Sequence, residues 1–207
     1  MILAGSDTIA TVMIWTLSLL FNNPEKLEKT QLELEEQIGM QRQVEESDIK
    51  NLTYFQAIMK ETLRLYPAAP LSIPHESTED RTIVGYHIPA RTRLIVNLQK
   101  LQRDSIVWEN PSEFQPERFL TSHQKNFDVK GQSPQLIPFG SGRRICTGIS
   151  FSLQIMHLTL ANLLHGFKID RPSKELLDME ESVGTTSTRK TPLKVVLTQR
   201  LSAQFYE

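Results

Sequence analysis

Pro138-Phe139-Gly140-Ser141-Gly142-Arg143-Arg144-Ile145-Cys146-Thr147-Gly148 decides how the rest of the chain reads, because it holds the only cysteine among 207 residues. Two arginines precede that cysteine, and an apolar, helix-like run follows it. Positive charge and a helix N-terminus both favour a thiolate, the form of sulfur that binds metal. Glycines on either side let the backbone turn tightly and approach a flat ligand. Most single cysteines are buried packing residues, so the case for a ligand rests on the spacing of the whole stretch.

Working outward, charge is nearly balanced, with 23 basic and 24 acidic residues and no basic block. That excludes a nucleic-acid partner as the first reading. One cysteine excludes a disulfide framework and suits a reducing compartment. The N-terminal Met1 to Phe21 is apolar but broken by Asp7. Its uninterrupted part, Ile9 to Phe21, is shorter than the roughly 20 apolar residues of a membrane span, and no basic segment precedes it as in a signal peptide. It reads as a core helix.

The pattern predicts a mainly α fold with a small β portion. A first helix covers Ile2 to Leu20. Asn23 and Pro24 offer a cap and first turn for a second helix, Pro24 to Ile38, with Leu27, Leu34 and Ile38 on one face. A short helical turn near Ser47 to Lys50 leads to a helix from Leu52 to Leu65, ended by Pro67. Strands are expected at Thr82 to Val84 and Arg93 to Asn97, with a tight turn at Gly85-Tyr86. Arg103 to Pro138 reads as an irregular meander. A long helix follows the cysteine, Gly148 to Leu164, which Thr147 can cap or start, and Leu193 to Leu197 reads as an edge strand. By segment, 1–66 is helical, 67–98 β-rich, 99–138 meander, 139–148 the cysteine loop, and 149–207 a helix with terminal strands.

Phe139, Gly142, Arg144, Cys146 and Gly148 together resemble the haem-binding loop of cytochrome P-450 monooxygenases: Phe, two residues, Gly, one, Arg, one, Cys, one, Gly. Two further blocks share that resemblance. Glu61-Thr62-Leu63-Arg64 and the Pro116-Glu117-Arg118-Phe119 segment match the family's Glu–Arg–Arg lock, which pins the meander behind the haem. On spacing alone, Glu61 and Arg64 are a surface pair worth about 0.2–0.5 kcal/mol. Ala4-Gly5-Ser6-Asp7-Thr8 matches the turn over the oxygen-binding face, where Ala4 and Gly5 leave room and Asp7 and Thr8 pass protons. Without the resemblance, Asp7 and Thr8 read as a polar pair on a helix surface.

The resemblance covers essentially the whole chain and is closest to plant enzymes that tailor specialised metabolites, C-terminal half only. It implies heme b with Cys146 as metal ligand, and Arg144 and His75 on the propionates; His75 reads equally as a surface histidine. It implies insertion of one oxygen atom from O2 into an apolar small molecule. Electrons would come from an NADPH–cytochrome reductase at the cytosolic face of the endoplasmic reticulum membrane, with the anchor outside this chain. Ala4, Leu71 to Ile73 and Gly184 to Thr186 would border the substrate. His157 and His165 are expected to be packing or surface residues. Ile9 stands where many members carry a second hydroxyl, Thr147 where plant members often have Pro, and Gln99 where a Trp is frequent. The last is expected to loosen packing. Rival readings are a haem-thiolate isomerase or dehydratase, which the Asp7-Thr8 pair argues against, and a truncated, inactive fragment. The second follows from the family's greater length and is the expectation for the isolated chain.

Overall fold

The computed structural model describes residues 2–121, 123–173 and 175–206, with side chains of the first helix described from Gly5 onward. Six helices and three two-stranded antiparallel sheets are seen among them, in the order expected of a mainly α chain.

Helix α1 (Ile2–Asn22) lies at the centre. Val12, Trp15, Leu19, Leu20 and Phe21 are buried, and so are Thr11, Thr16 and Ser18. Thr16 and Ser18 can be buried because each hydroxyl donates back to the carbonyl four residues earlier, at 2.8 and 2.7 Å. Helix α2 (Pro24–Ile38) is amphipathic, burying Leu34 with Leu27 and Ile38 packed alongside. Pro24 opens it as expected. Asn23 does not cap it with its side chain, because that amide donates to Leu19 O at 2.8 Å and so closes α1.

Helix α3 (Thr53–Leu65) buries ten of its thirteen residues. Its first N–H groups, orphaned in any helix, are satisfied from α2. The Glu33 carboxylate accepts from Tyr54 N at 2.7 Å and Phe55 N at 2.9 Å. The helix stops before Tyr66, since the residue ahead of Pro67 is pushed out of the helical region.

The β portion is slighter than the sequence suggests. Strands β1 (His75–Glu76) and β4 (Arg93–Leu94) pair with each other, and β2 (Arg81–Ile83) pairs with β3 (Tyr86–Ile88). The β2–β3 turn is Val84-Gly85, both at positive φ, the mirror-type turn that matches strand twist. The strand expected to reach Asn97 ends at Leu94. Val96 N bonds the Ser72 hydroxyl instead of a ladder, and Asn97 Oδ1 caps the one-turn α4 (Leu98–Leu101).

The meander holds only the one-turn α5 (Arg118–Thr121) and a 3-10 turn. It is nevertheless packed: Trp108 and Leu136 are fully buried, and Phe114 and Phe119 nearly so. Helix α6 (Ile149–Gly166) runs straight into β5 (Phe167–Asp170), which pairs with β6 (Val196–Gln199). The terminal strand therefore begins at Val196 rather than Leu193, where its partner's ladder starts. Gly166 is the last residue of α6, two beyond the expected Leu164. Helices α1, α2 and α3 all pack against α6, so the helix that follows the cysteine loop is seated in the core.

Candidate haem-thiolate site

The cysteine loop is shaped by backbone. Gly140 and Gly142 adopt φ of 75° and 67°, a region closed to most side chains. Cys146 N donates to Phe139 O at 3.0 Å, and Gly140 N donates to Ile137 O at 2.8 Å. Cys146 is thereby held at the surface with its thiol exposed. Phe139 packs partly into the core and anchors the other end of the loop. Gly148 takes the cap position of α6 and receives Ser152 N at 2.8 Å, so Thr147, expected as the cap, makes no capping bond.

Gly131 supports this loop from outside, and sequence reading missed it. It has φ of 81°, and a Cβ there would meet Ile145 Cδ1 at 3.0 Å, Gly140 O at 3.1 Å and Ser141 Cα at 3.2 Å. No local pattern marks it, because the contact is with residues nine and more positions away.

Exposed apolar and basic side chains adjoin the cysteine in sequence and recur in the β1–β4 pair. Phe151, in the first turn of α6, is 66% exposed, with Ile155 one turn on. Leu71, Ile73, Leu94 and Ile95 are exposed in and beside the β1–β4 pair. Arg143, Arg144 and His75 are also exposed. Neither arginine joins an ion pair among the described residues. No three His, Cys, Asp or Glu converge among the described residues. A metal held here would take one sulfur from the protein and its other ligands from a macrocycle. An exposed thiol, two exposed loop arginines and the uncovered Phe151 in the first turn of α6 suit a flat apolar ring with carboxylate edges. The residues present therefore fit haem.

The Asp7-Thr8 turn is in α1. Asp7 is exposed and its Oδ2 accepts from the Thr186 hydroxyl at 3.4 Å. Thr8 is half-buried, with Oγ1 at 3.4 Å from Gly5 O. A Cβ at Gly5 would meet nothing within 4 Å, so that face of the helix is open. The side chain of Ala4 lies outside the described residues. Ile9 is buried in the core.

The three residues matched to the Glu–Arg–Arg lock are brought into direct contact. Arg64 grips Glu61 through Nε and Nη2 at 2.7 and 2.8 Å, and Arg118 Nε reaches the same carboxylate at 3.2 Å. The remaining Arg64 N–H groups take Gln102 O, Pro111 O and Glu113 O. Gln102, unremarked in the sequence, is fully buried and ties Leu63 O and Arg64 O to Ile137 N, just ahead of the cysteine loop.

Gln99, expected to loosen packing, makes a polar contact with the C-terminal part of the chain. Its amide donates to Glu181 at 2.9 Å. His165 is fully buried and bonds Arg42 O, while His157 sits edge-on to Phe55. Both are packing residues. Burial pushes the His157 imidazole down to about 4 and lowers His165 in the same direction. Two concavities, of about 520 Å³ beside Ile106 and Arg118 and about 230 Å³ beside Asn162 and Tyr206, exclude both Cys146 and Asp7. Cys146 itself is exposed. No helix among the described residues is long and apolar enough to cross a membrane.

Comparison with known proteins agrees with this geometry. The family model described as Cytochrome P450 matches residues 1–197. A flavonoid-6-hydroxylase of Mentha piperita is 54% identical over 206 residues, covering all of this chain and 40% of that protein. A strychnine-10-hydroxylase of Strychnos nux-vomica is 55% identical over 206 residues, covering all of this chain and 39% of that protein. The chain thus spans about two-fifths of the curated relatives it matches. Among solved structures, a zebra fish cytochrome P450 with progesterone superposes with a TM-score of 0.84 at 31% identity, covering 95% of this chain and 43% of that one.

Proposed function

The chain belongs to the cytochrome P450 family, and from that premise we propose that it serves a haem-thiolate monooxygenase acting on an apolar plant specialised metabolite. The observation that carries this reading is the exposed Cys146 thiol, fixed by the Cys146 N–H to Phe139 O bond within a loop of left-handed glycines. The names of the relatives, hydroxylases of a flavonoid and of strychnine, favour a rigid polycyclic substrate.

In this reading Cys146 holds the iron of heme b, Phe139 backs the loop, and Gly142 and Gly148 admit the ring. Arg144 and His75 take the propionates, for which a guanidinium fork is well suited. The bound group supplies electron density from the thiolate through iron to dioxygen. Gly5 would leave room for dioxygen. Thr8 offers a hydroxyl proton there, and Asp7 replaces it from solvent, which its exposure allows. Glu61, Arg64 and Arg118 are structural. They hold the meander and, through Gln102, the segment entering the cysteine loop.

The overall reaction places one oxygen atom in the substrate and releases the other as water, using two protons and two electrons. An NADPH–cytochrome reductase at the endoplasmic reticulum membrane is the electron source this reading requires. Both protonating groups of the turn are present, which favours oxygen insertion over isomerisation or dehydration. The test is turnover of a polycyclic phenolic panel under labelled dioxygen with NADPH and reductase. Product carrying one labelled oxygen supports the proposal, whereas product whose new oxygen is unlabelled, or that gains no oxygen, contradicts it.

A further inference from the structure

The loop that brings Thr186 to Asp7 is anchored far more firmly than an exposed surface loop requires. Ser187, the next residue, is 2% exposed and is held through every polar atom it has. Its N–H donates to Ala68 O at 3.0 Å, its carbonyl accepts from Trp15 Nε1 at 2.5 Å, and its hydroxyl donates to Glu181. Glu181 is itself fixed by the Gln99 amide at 2.9 Å. Trp15 is fully buried and stacks on Tyr66 with ring centroids 3.9 Å apart. Helix α1 through Trp15, the segment after α3 through Ala68, and α4 through Gln99 and Glu181 are therefore all tied to one serine. The residue this anchorage places is Thr186, whose hydroxyl donates to Asp7 Oδ2 across 179 positions of sequence.

Asp7 joins no ion pair among the described residues. An exposed aspartate on a helix would ordinarily sample several rotamers. A neutral hydroxyl restricts it without cancelling its charge, as Lys or Arg would. A group meant to pick up and hand on protons needs a fixed direction.

We propose that Thr186 is a positioning residue for the Asp7 carboxylate, clamped in place by Ser187, Glu181 and Gln99, and that its hydroxyl fixes the direction in which Asp7 relays protons. The catalytic consequence rests on the monooxygenase reading; the positioning itself does not.

The test has two arms. In the first, the rotamer distribution of Asp7 is measured from side-chain couplings by NMR on labelled protein without haem. Thr186→Val, which keeps shape and removes the donor, should reduce the ratio of major to minor rotamer roughly two- to tenfold, the worth of one hydrogen bond. Thr186→Ser should restore it, and amide shifts in α3 and α6 should match the parent in both variants. In the second, peroxide released per NADPH is measured in haem-loaded protein with reductase. It should rise by a similar factor in Thr186→Val and return towards the parent in Thr186→Ser. An unchanged Asp7 rotamer ratio in Thr186→Val overturns the positioning. A changed ratio with unchanged peroxide yield overturns its role in the reaction. Failure of the monooxygenase reading shows separately, as absence of a thiolate-type carbon monoxide spectrum in the parent, while the first arm still decides the positioning.

Discussion

Glu61 and Arg64 are both fully buried and face each other through two parallel hydrogen bonds, of 2.7 and 2.8 Å. The pair lies three residues apart on α3, a spacing that at a surface is worth little. Burial changes its meaning. Each of the five Arg64 N–H groups has an acceptor, three of them backbone carbonyls of the meander and its approach. The Glu61 carboxylate also accepts Gln115 N at 2.9 Å and Arg118 Nε. An irregular segment with few backbone ladders of its own is thus held by side chains of one helix.

Removing one partner leaves a buried charge unpaired. Glu61→Gln is expected to lower unfolding stability by about 3–5 kcal/mol, read from urea denaturation. Arg64→Lys should cost a similar amount, because an ammonium cannot replace the fork that reaches three carbonyls. A loss below about 1 kcal/mol in both variants would show that the network is dispensable.

His157 gives a pH dependence with a definite sign. Its folded value of about 4 lies below the ordinary 6.5, from burial and despite its backbone bond. Between those values the unfolded chain binds more protons, so stability rises with pH and is lost as pH falls from about 6.5 towards 4. His165, lowered by burial as well, adds in the same direction. Replacing His157 by Leu should remove about 2 kcal/mol of the stability difference between pH 7.5 and pH 5. Equal pH slopes in parent and variant would contradict the assignment.

Gly131→Ala tests the support beneath the cysteine loop. The new Cβ would press on the Gly140 carbonyl and Ser141 Cα, backbone atoms that cannot swing aside, at a φ that itself costs about 1–2 kcal/mol. Haem affinity is expected to fall about tenfold or more for that cost, measured by titration and Soret absorbance. Gly85→Ala, at a turn with nothing within 4 Å of the added atom, is the control and should leave haem affinity unchanged.

What could be read in the sequence was what short-range pattern encodes. Helices α2 and α3 announce themselves by periodicity and by Pro24 and Pro67. The cysteine loop is marked by its own spacing. The features that stayed hidden depend on distant partners. Glu33 caps α3 from another helix, and Gly131 matters only where the cysteine loop folds back. Strand β5 is recognisable only once β6 lies beside it, and β4 is cut short by a bond from Ser72. Ser187 carries no motif at all, and its importance comes from Trp15, Ala68 and Glu181 meeting there. Cys146, Asp7 and Thr8 are marked as candidates by resemblance alone, whereas the tie from Thr186 to Asp7 carries no mark in the sequence.

The central claim is that the Cys146 sulfur is the protein's ligand to haem iron. It is tested most directly by supplying haem to the chain, reducing it, adding carbon monoxide, and recording the Soret band of parent and Cys146→His. The account predicts a long-wavelength, thiolate-type band in the parent and a shift to the shorter wavelength of imidazole ligation in the variant. Identical bands in the two proteins, or haem uptake by the parent without any thiolate-type band, would contradict it.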